Sequence, residues 1–285
     1  MIPSLSISAI ILTFNSELTI RKTLECAQQV SDDIHVVDSF STDKTLQIAE
    51  SFGARIVQHA FVHYGDQRNW TIDNLVFKHE WQLHLDADEF LSPELIAAIE
   101  KLKTAPSKDI DGYYIPRLTR FMGRDIRHGG HYPIWHLRLF RTGAGRCESR
   151  KYDQHFILIG NAERIHAPMI DDNRMSLKEW TDRHNRWSEA EVQEILHPTG
   201  EGVIQGKLRG DTPMQIKRGL RGLFLRLPLF TRSFLFFSYR YLLRLGFLDG
   251  KPGLIYNFLQ TFWYRFLIDA KLYEHSLAED GRENH

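Results

Sequence analysis

Asp86 and Asp88 stand one residue apart at the end of a run in which Trp81, Leu83 and Leu85 alternate with polar residues, and Ser92 and Pro93 come shortly after. Period-two alternation reads as a strand and Ser-Pro as a helix start. The acids therefore fall at the carboxyl end of a strand, where open α/β sheets bind ligands. Paired carboxylates in that position suit a hard divalent cation, Mg2+ or Mn2+, whose remaining oxygen ligands come from the phosphates of a substrate. Alone, the same pair reads more readily as a solvated acidic turn that caps the helix from Ser92. The preceding ninety or so residues decide between the two.

Residues 5–14 form a nearly continuous β-branched and apolar run, as expected of a strand buried on both faces of a parallel sheet. The run ends where Asn15 or Ser16 can cap a helix reaching to about Val30. Residues 34–37 predict a short strand that delivers Asp38, a helix then runs through about Phe52, and Gly53 closes it in a left-handed cap. A third strand is expected at residues 54–58, a helix from Gly65 to about Lys78, and another helix at residues 93–103. Strand and helix alternate at the spacing of βαβ units. No Gly-x-Gly-x-x-Gly succeeds the first strand, which argues against a dinucleotide oxidoreductase. Strands at residues 113–117 and 137–141 flank a loop rich in Gly, His and aromatics at residues 128–135, suited to lining a substrate cleft. Short strands near residues 156–159 and 163–166 precede a helix over Leu177–Leu196.

The chain has 285 residues and zero formal net charge, but the charge is unevenly spread. Residues 205–251 hold ten Lys and Arg against Asp211 and Asp249, about +8. Two cysteines, Cys26 and Cys147, offer no disulfide framework and suit a reducing compartment. The amino terminus lacks a charged leader before its apolar run, so no signal peptide is expected.

Four elements occur in an order and spacing that resemble the family 2 glycosyltransferases with their GT-A fold. They are Thr13 to Glu17, Val36 to Thr45, Gly65 to Asn69, and Leu85 to Glu89. Within the family the chain is similar to the bacterial lipopolysaccharide core β-glucosyltransferases. Tyr132-Pro133 with Arg138 to Arg141, the His184 to Ser188 helix, and the Gly246 to Gly253 tail carry that likeness. Phe40 stands where the family commonly has Gly, and Asp153-Gln154-His155 where the core transferases usually show His-Glu. The fold implied is α/β, a Rossmann-like, mostly parallel sheet flanked by helices over residues 1–200. A basic, aromatic-rich, membrane-associating helical extension is expected over residues 201–285.

Carried over to this sequence, the resemblance implies that Thr13, Asn15 and Glu17 border a nucleoside pocket, with Asp38 at the base or ribose and Arg68 near a diphosphate. Gln67, Arg68 and Asn69 fall together at an expected helix start, a natural anion site. Asp88 would hold the metal, with Asp86 on the ribose or the metal's water shell and His166 as a further ligand. Such a site serves transfer of a sugar from a nucleotide-diphosphate donor, most simply a UDP-sugar, to a lipid-linked or lipopolysaccharide-type glycan. Inversion by single displacement needs one carboxylate as base, for which Asp153 is the choice and Glu148 the understudy. An alternative enzyme is a polyprenyl-phosphate glycosyltransferase, which needs no strong base; a rival of another class is a non-catalytic sugar-nucleotide-binding scaffold.

Arg221, Arg226, Arg232, Arg240 and Arg244 interrupt the Leu- and Phe-rich stretch of residues 220–248, so it lacks the ~20 apolar residues needed to span a bilayer. Bulky apolar groups beside guanidiniums suit the interface of an anionic leaflet. A peripheral site at the cytoplasmic face of the inner membrane is therefore expected. No nucleic-acid recognition module accompanies the charge.

Overall fold

The computed structural model describes residues 5–104, 109–148, 154–172, 174–197 and 213–283. They divide into two compact units. The first runs to Arg120, resumes at Tyr132 and at Gln154, and ends at Arg174; the second holds Phe121–His131 and the described residues from Met175 onward. The boundary expected at residue 200 falls outside the described residues.

In the first unit, β1 (Ile7–Thr13) is buried at every position, as its unbroken apolar run requires. It lies parallel to both β2 (Asp33–Asp38) and β4 (Trp81–Asp86), and β3 (Arg55–Gln58) extends the parallel row beyond β2. Side chains of β1 alternate between two cores. Ile7, Ala9 and Ile11 pack with Leu24 of α1 (Ile20–Val30) and Leu95 of α4 (Pro93–Thr104), while Ile10 and Leu12 pack with Trp70 of α3 (Tyr64–Asn74). Helix α1 buries Ile20, Thr23, Leu24, Ala27 and Val30, one stripe at helical spacing. The short α2 (Thr45–Ser51) ends before Gly53, which adopts φ 69° as the expected left-handed cap.

The sheet continues past β4 with β5 (Glu89–Leu91), β6 (Gly112–Phe121), β8 (Ile134–Arg141) and β12 (Met169–Asp172), in the order β3-β2-β1-β4-β8-β6-β12-β5. β8 is antiparallel to β4 and β6, β5 is antiparallel to β12, and β12 and the short β11 (Ala162–Arg164) run parallel to β6. β9 (Gly145–Cys147) and β10 (Phe156–Leu158) form a separate hairpin. This is the mostly parallel, helix-flanked α/β sheet expected of a GT-A fold. Among these strands β5, which lies in the lead-in to α4, β9 and β12 had no sequence expectation.

The second unit opens with Phe121 and the two-residue β7 (Arg124–Asp125), and its other elements among the described residues are helical. Its helices are α5 (Leu177–Leu196), α6 (Pro213–Leu225), α7 (Thr231–Ser238), α8 (Gly250–Asn257) and α9 (Tyr264–Glu283), with π-helical turns at Tyr239–Leu243 and Phe258–Trp263 and a 3₁₀ turn at Gly246–Asp249. Helix α5 begins at the expected residue with a full capping box between Ser176 and Glu179. Val192 of α5 packs with Tyr264 and Ile268 of α9, and Phe121, Ile126, Trp180 and Tyr256 make a second small core. Buried ion pairs tie the helices: Glu191 accepts from Arg221 at 2.9 Å, Arg265 at 2.7 Å and Tyr264 Oη at 2.9 Å. Asp269 accepts from Arg232 Nε at 2.7 Å, Ser233 Oγ at 3.1 Å and the Phe230 N–H at 2.7 Å. Arg221 and Arg232, two of the basic residues in the 205–251 stretch, are therefore paired inside the unit. No helix of the described residues is long and apolar enough to cross a membrane.

Candidate functional site

Register brings the expected strand ends together. Thr13 pairs with Asp38 and Leu12 with Asp86, so Asp38 and Asp86 flank the carboxyl end of β1 from either side, roughly 10 Å apart across two strand spacings. Thr13 sits between them, 5% exposed, its Oγ1 buried without a hydrogen-bond partner.

The loops after β1 and β2 are laced to each other. Asn15 donates its N–H to Ser41 Oγ at 2.8 Å and accepts from the Thr42 N–H at 2.8 Å. The Ser16 N–H reaches Thr45 Oγ1 at 2.7 Å. The Glu17 N–H reaches Asp43 at 3.0 Å, and the Glu17 carboxylate accepts from the Lys44 N–H at 3.1 Å. This corrects the expectation that Asn15 or Ser16 caps α1. Asn15 has φ 45°, which turns its side chain to the neighbouring loop, and α1 begins only at Ile20 without a side-chain cap. Asp38 is fully buried and accepts from the Ser41 N–H at 2.9 Å, from Ser41 Oγ, and from Gln58 Nε2 at 3.0 Å. Phe40, in the position the family commonly gives to Gly, has φ 63° and is 54% exposed. That is a left-handed backbone glycine adopts without strain.

Gln67, Arg68 and Asn69 do not form an open anion site at a helix start. Helix α3 begins at Tyr64, and His63 caps it by accepting from the Asp66 N–H at 3.0 Å. The three side chains point inward. Gln67 bonds His59 Nδ1 at 2.8 Å and Ser39 Oγ at 3.3 Å, and Asn69 exchanges two bonds of 2.9 Å with the backbone of Cys147. Arg68, 3% exposed, donates to Asp86 Oδ1 at 2.5 Å and to the Leu85 carbonyl at 3.3 Å.

Asp86 is gripped from its other side by Arg138, which lies 3.2 Å from Asp86 Oδ2 and 2.6 Å from Glu89 Oε1. Glu89 Oε2 in turn accepts the Asp86 N–H at 3.0 Å. The result is a buried quartet in which arginines and carboxyl groups alternate, of which Asp86 is the open member: its side chain is 28% exposed, against 2% for Glu89. Burial works to raise the Asp86 carboxyl, but Arg68 and Arg138 outweigh it and hold it below the usual range. Burial pushes Glu89 up to about 8, against the pull of Arg138 and with the help of the neighbouring Asp86 charge. A polar row runs back along the same face of β4. His84 accepts from Arg68 at 3.4 Å and donates to Gln82 at 3.0 Å, and burial together with the two arginine charges keeps it neutral. The sequence showed the apolar face of this strand and not that its polar face is buried too.

Asp88 is half-buried in the turn between β4 and β5, and its carbonyl accepts the Asp172 N–H at 3.0 Å. Neither Asp86 nor Asp88 caps α4. Ser92 does, accepting the Leu95 N–H at 3.1 Å, so the capping part of the alternative reading of the acidic pair does not hold. His166 is not brought to the carboxylates. It is exposed, edge-on to Trp135 at 5.1 Å, and precedes the end of β12 opposite the one that adjoins Asp88. Glu148 is 1% exposed and accepts the His155 N–H at 2.9 Å, closing the β9–β10 hairpin. Asp153 lies outside the described residues.

No group of three or more His, Cys, Asp and Glu able to hold a metal occurs among the described residues. The donor set at Asp86 and Asp88 fits a cation of another kind, one held by one or two carboxylates and otherwise by substrate phosphates. The open edge of Asp86 is the observation that agrees with it. Sequence reasoning missed Arg138 as a site residue. Its signal was its place in the Arg138 to Arg141 element that carried the family likeness; the contacts themselves were hidden, since its partners are 49 and 52 positions away.

The family model described as Glycosyl transferase family 2 matches residues 8–153, just over half of the chain. An uncharacterized glycosyltransferase of Rickettsia bellii (strain RML369-C) is 39% identical over 103 residues, 36% of this chain and 34% of that protein. The lipopolysaccharide core biosynthesis glycosyltransferase LpsC of Rhizobium meliloti (strain 1021) is 29% identical over 167 residues, 56% of this chain and 60% of that protein. The matches thus span about a third of the length of the Rickettsia relatives. A solved structure of glucosyl-3-phosphoglycerate synthase from Mycobacterium tuberculosis, with Mn2+ and UDP-glucose, is 21% identical over 40% of this chain and 44% of that one, with a TM-score of 0.33.

Proposed function

The chain belongs to glycosyl transferase family 2, and on that premise we propose that it moves a sugar, with inversion, from a nucleoside-diphosphate donor to a hydroxyl of a lipid-linked or lipopolysaccharide-type glycan at the cytoplasmic face of the inner membrane. The acceptor oxygen attacks the anomeric carbon as the bond to the diphosphate breaks, and a carboxylate takes the hydroxyl proton. The observation that carries the reading is Asp86. It is ionised, held in one orientation by Arg68 and Arg138, and open to solvent along one edge at the carboxyl end of the sheet. A carboxylate fixed in this way binds a cation or ribose without first giving up an orientation.

Asp86 and Asp88 would hold a divalent cation, which when bound supplies positive charge to the departing diphosphate. The loops carrying Asn15, Glu17 and Asp38 would form the nucleoside side of the donor site. The mutual lacing of the loops gives Asn15 and Glu17 the role of fixing loop shape rather than of individual contacts. The proton acceptor is assigned to Asp153. Glu148 suits the part less, since its carboxylate is buried and engaged. A lipopolysaccharide acceptor is supported by the name of LpsC, and a membrane location by the apolar and basic character of the helical unit.

A panel of nucleotide sugars tested for thermal stabilisation with and without Mn2+, and then assay of nucleoside-diphosphate release on addition of glycolipid acceptor, tests the proposal. Stabilisation and then release supports it. Stabilisation without release under any acceptor marks a binding scaffold, and release that survives Asp153→Asn unchanged marks a phosphate acceptor.

A further inference from the structure

The helical unit contains a seven-residue stretch that exposes five large apolar side chains: Leu242 at 56%, Leu243 at 76%, Leu245 at 46%, Phe247 at 44% and Leu248 at 49%. The stretch is an elbow, passing from the π-helical turn Tyr239–Leu243 into the 3₁₀ turn Gly246–Asp249. It is held firmly in that shape. The Arg244 N–H bonds the Tyr239 carbonyl at 2.9 Å, and Leu245 takes φ 58° at the corner. Gly246 is packed so closely that a Cβ there would lie 2.9 Å from Asn257 Nδ2 and 3.0 Å from the Arg240 carbonyl.

Residues 128–131, the first half of the loop at 128–135 expected from sequence to line a substrate cleft, brace the elbow. The Gly129 N–H bonds the Arg244 carbonyl at 2.8 Å, and Arg240 Nη1 bonds the Gly130 carbonyl at 2.7 Å. Asp249 accepts from the His128 N–H at 2.8 Å and faces His128 Nδ1 at 2.7 Å, and His131 Nε2 donates to Asn257 at 3.0 Å. A backbone so constrained cannot fold its apolar side chains inward, so they are presented for something else to cover.

The charges identify what covers them. Arg244 and Lys251 are exposed and paired with no carboxylate among the described residues. The acid between them, Asp249, is 2% exposed and turned to His128. A second copy of this chain seated on the elbow would set these cations against their own kind, whereas anionic headgroups above an acyl layer match both the charge and the apolar row.

We propose that residues 242–248 form a wedge that inserts into an anionic lipid bilayer, with Arg244 and Lys251 among the headgroups and the loop at residues 128–131 as its brace. The choice of a lipid surface rests on the proposed transfer to a membrane glycan; the wedge and its brace rest on the helical unit alone.

The test is flotation of the full chain with phosphatidylcholine vesicles with and without phosphatidylglycerol, circular dichroism establishing the fold of each variant. The protein is expected to float with the anionic vesicles. Arg244→Glu with Lys251→Glu is expected to reduce that recovery at least about tenfold, from a contribution of about 1 kcal/mol per cation. Leu243→Asp with Phe247→Asp is expected to abolish it, and His128→Ala to weaken it with every apolar side chain still present. Failure of the wild type to float, wild-type flotation by the elbow variants, or a vesicle-free dimer that Leu243→Asp converts to monomer would each overturn the proposal. UDP with Mn2+ should stabilise the elbow variants as it does the wild type. Loss of that response in the wild type would count against the transferase reading and leave the flotation result standing.

Discussion

In the sheet unit, two arginines grip Asp86, whose side chain keeps 28% of its surface exposed; in the helical unit, Arg232 grips Asp269, of which 1% is exposed. Both are arginine–carboxylate centres built from residues distant in sequence. The difference is in what remains unfilled. Asp269 takes both nearby nitrogens of Arg232, a serine hydroxyl and a backbone N–H, which leaves it no face for a ligand. Asp86 takes one guanidinium on each oxygen and keeps more than a quarter of its side-chain surface exposed. A closed ion pair is structure, because its desolvation is offset only while every partner stays in place. An open one of the same composition can do chemistry.

Exchanging the two by mutation is the hardest test of that distinction. Asp86→Asn should lower transfer roughly 100- to 1,000-fold, the scale seen when a preorganised electrostatic group is removed, beyond whatever stability it loses by leaving buried Arg68 without its carboxylate. Asp269→Asn should cost about 3–5 kcal/mol of stability by leaving Arg232 buried and unpaired. Denaturant unfolding and a turnover assay on both variants would separate the effects; a large stability loss confined to Asp86→Asn would erase the contrast. The two base candidates divide in the same way. Asp153→Asn should lower turnover about 100-fold or more. Glu148→Gln should act mainly on stability, through the lost bond from His155.

Acid sharpens the contrast between the units. In the helical unit, burial depresses His131 to about 3 and His184 to about 4. Between the unfolded value near 6.5 and those values the unfolded chain holds more protons, so stability falls as pH falls, by up to about 1.4 kcal/mol per histidine per pH unit. In the sheet unit, His84 acts in the same direction, but Glu89, raised to about 8, binds its proton in the folded state first and stabilises as pH falls from there to its unfolded value. Hydrogen exchange from pH 6.5 to 4 should therefore show the helical unit losing protection before the sheet unit. His131→Asn with His184→Asn should flatten the decline; simultaneous loss in both units would contradict the assignment.

The smallest effect is expected at Phe40. Replacing it with Gly removes a left-handed non-glycine residue but adds unfolded-state entropy, so Phe40→Gly should change stability by no more than about 1 kcal/mol, on the stabilising side, as denaturant unfolding would show.

The parts of this molecule legible from sequence are those set by local period and punctuation. The buried run of β1, the span of α5, the Gly53 cap, and the placing of Asp38 and Asp86 at strand ends all arise from neighbours a few positions apart. The illegible parts depend on pairing over long distances. β12 is a four-residue strand whose partners are β5 and β6. Arg138 gives no local sign that it clamps Asp86. Asn15 has the residue type of a helix cap, yet its backbone turns it toward Thr42, 27 positions on. Gln67 and Arg68 have types that permit them to face a ligand, and burial decides otherwise.

The central claim is that the open edge of Asp86 holds a nucleotide donor through a divalent cation. The most direct measurement is thermal stabilisation by UDP in the presence of Mn2+, for the wild type and for Asp86→Asn, with EDTA as the metal-free arm. The wild type should be stabilised with Mn2+, and the effect should vanish in EDTA and in the variant. Equal stabilisation of Asp86→Asn, or stabilisation that is indifferent to EDTA, would contradict the account.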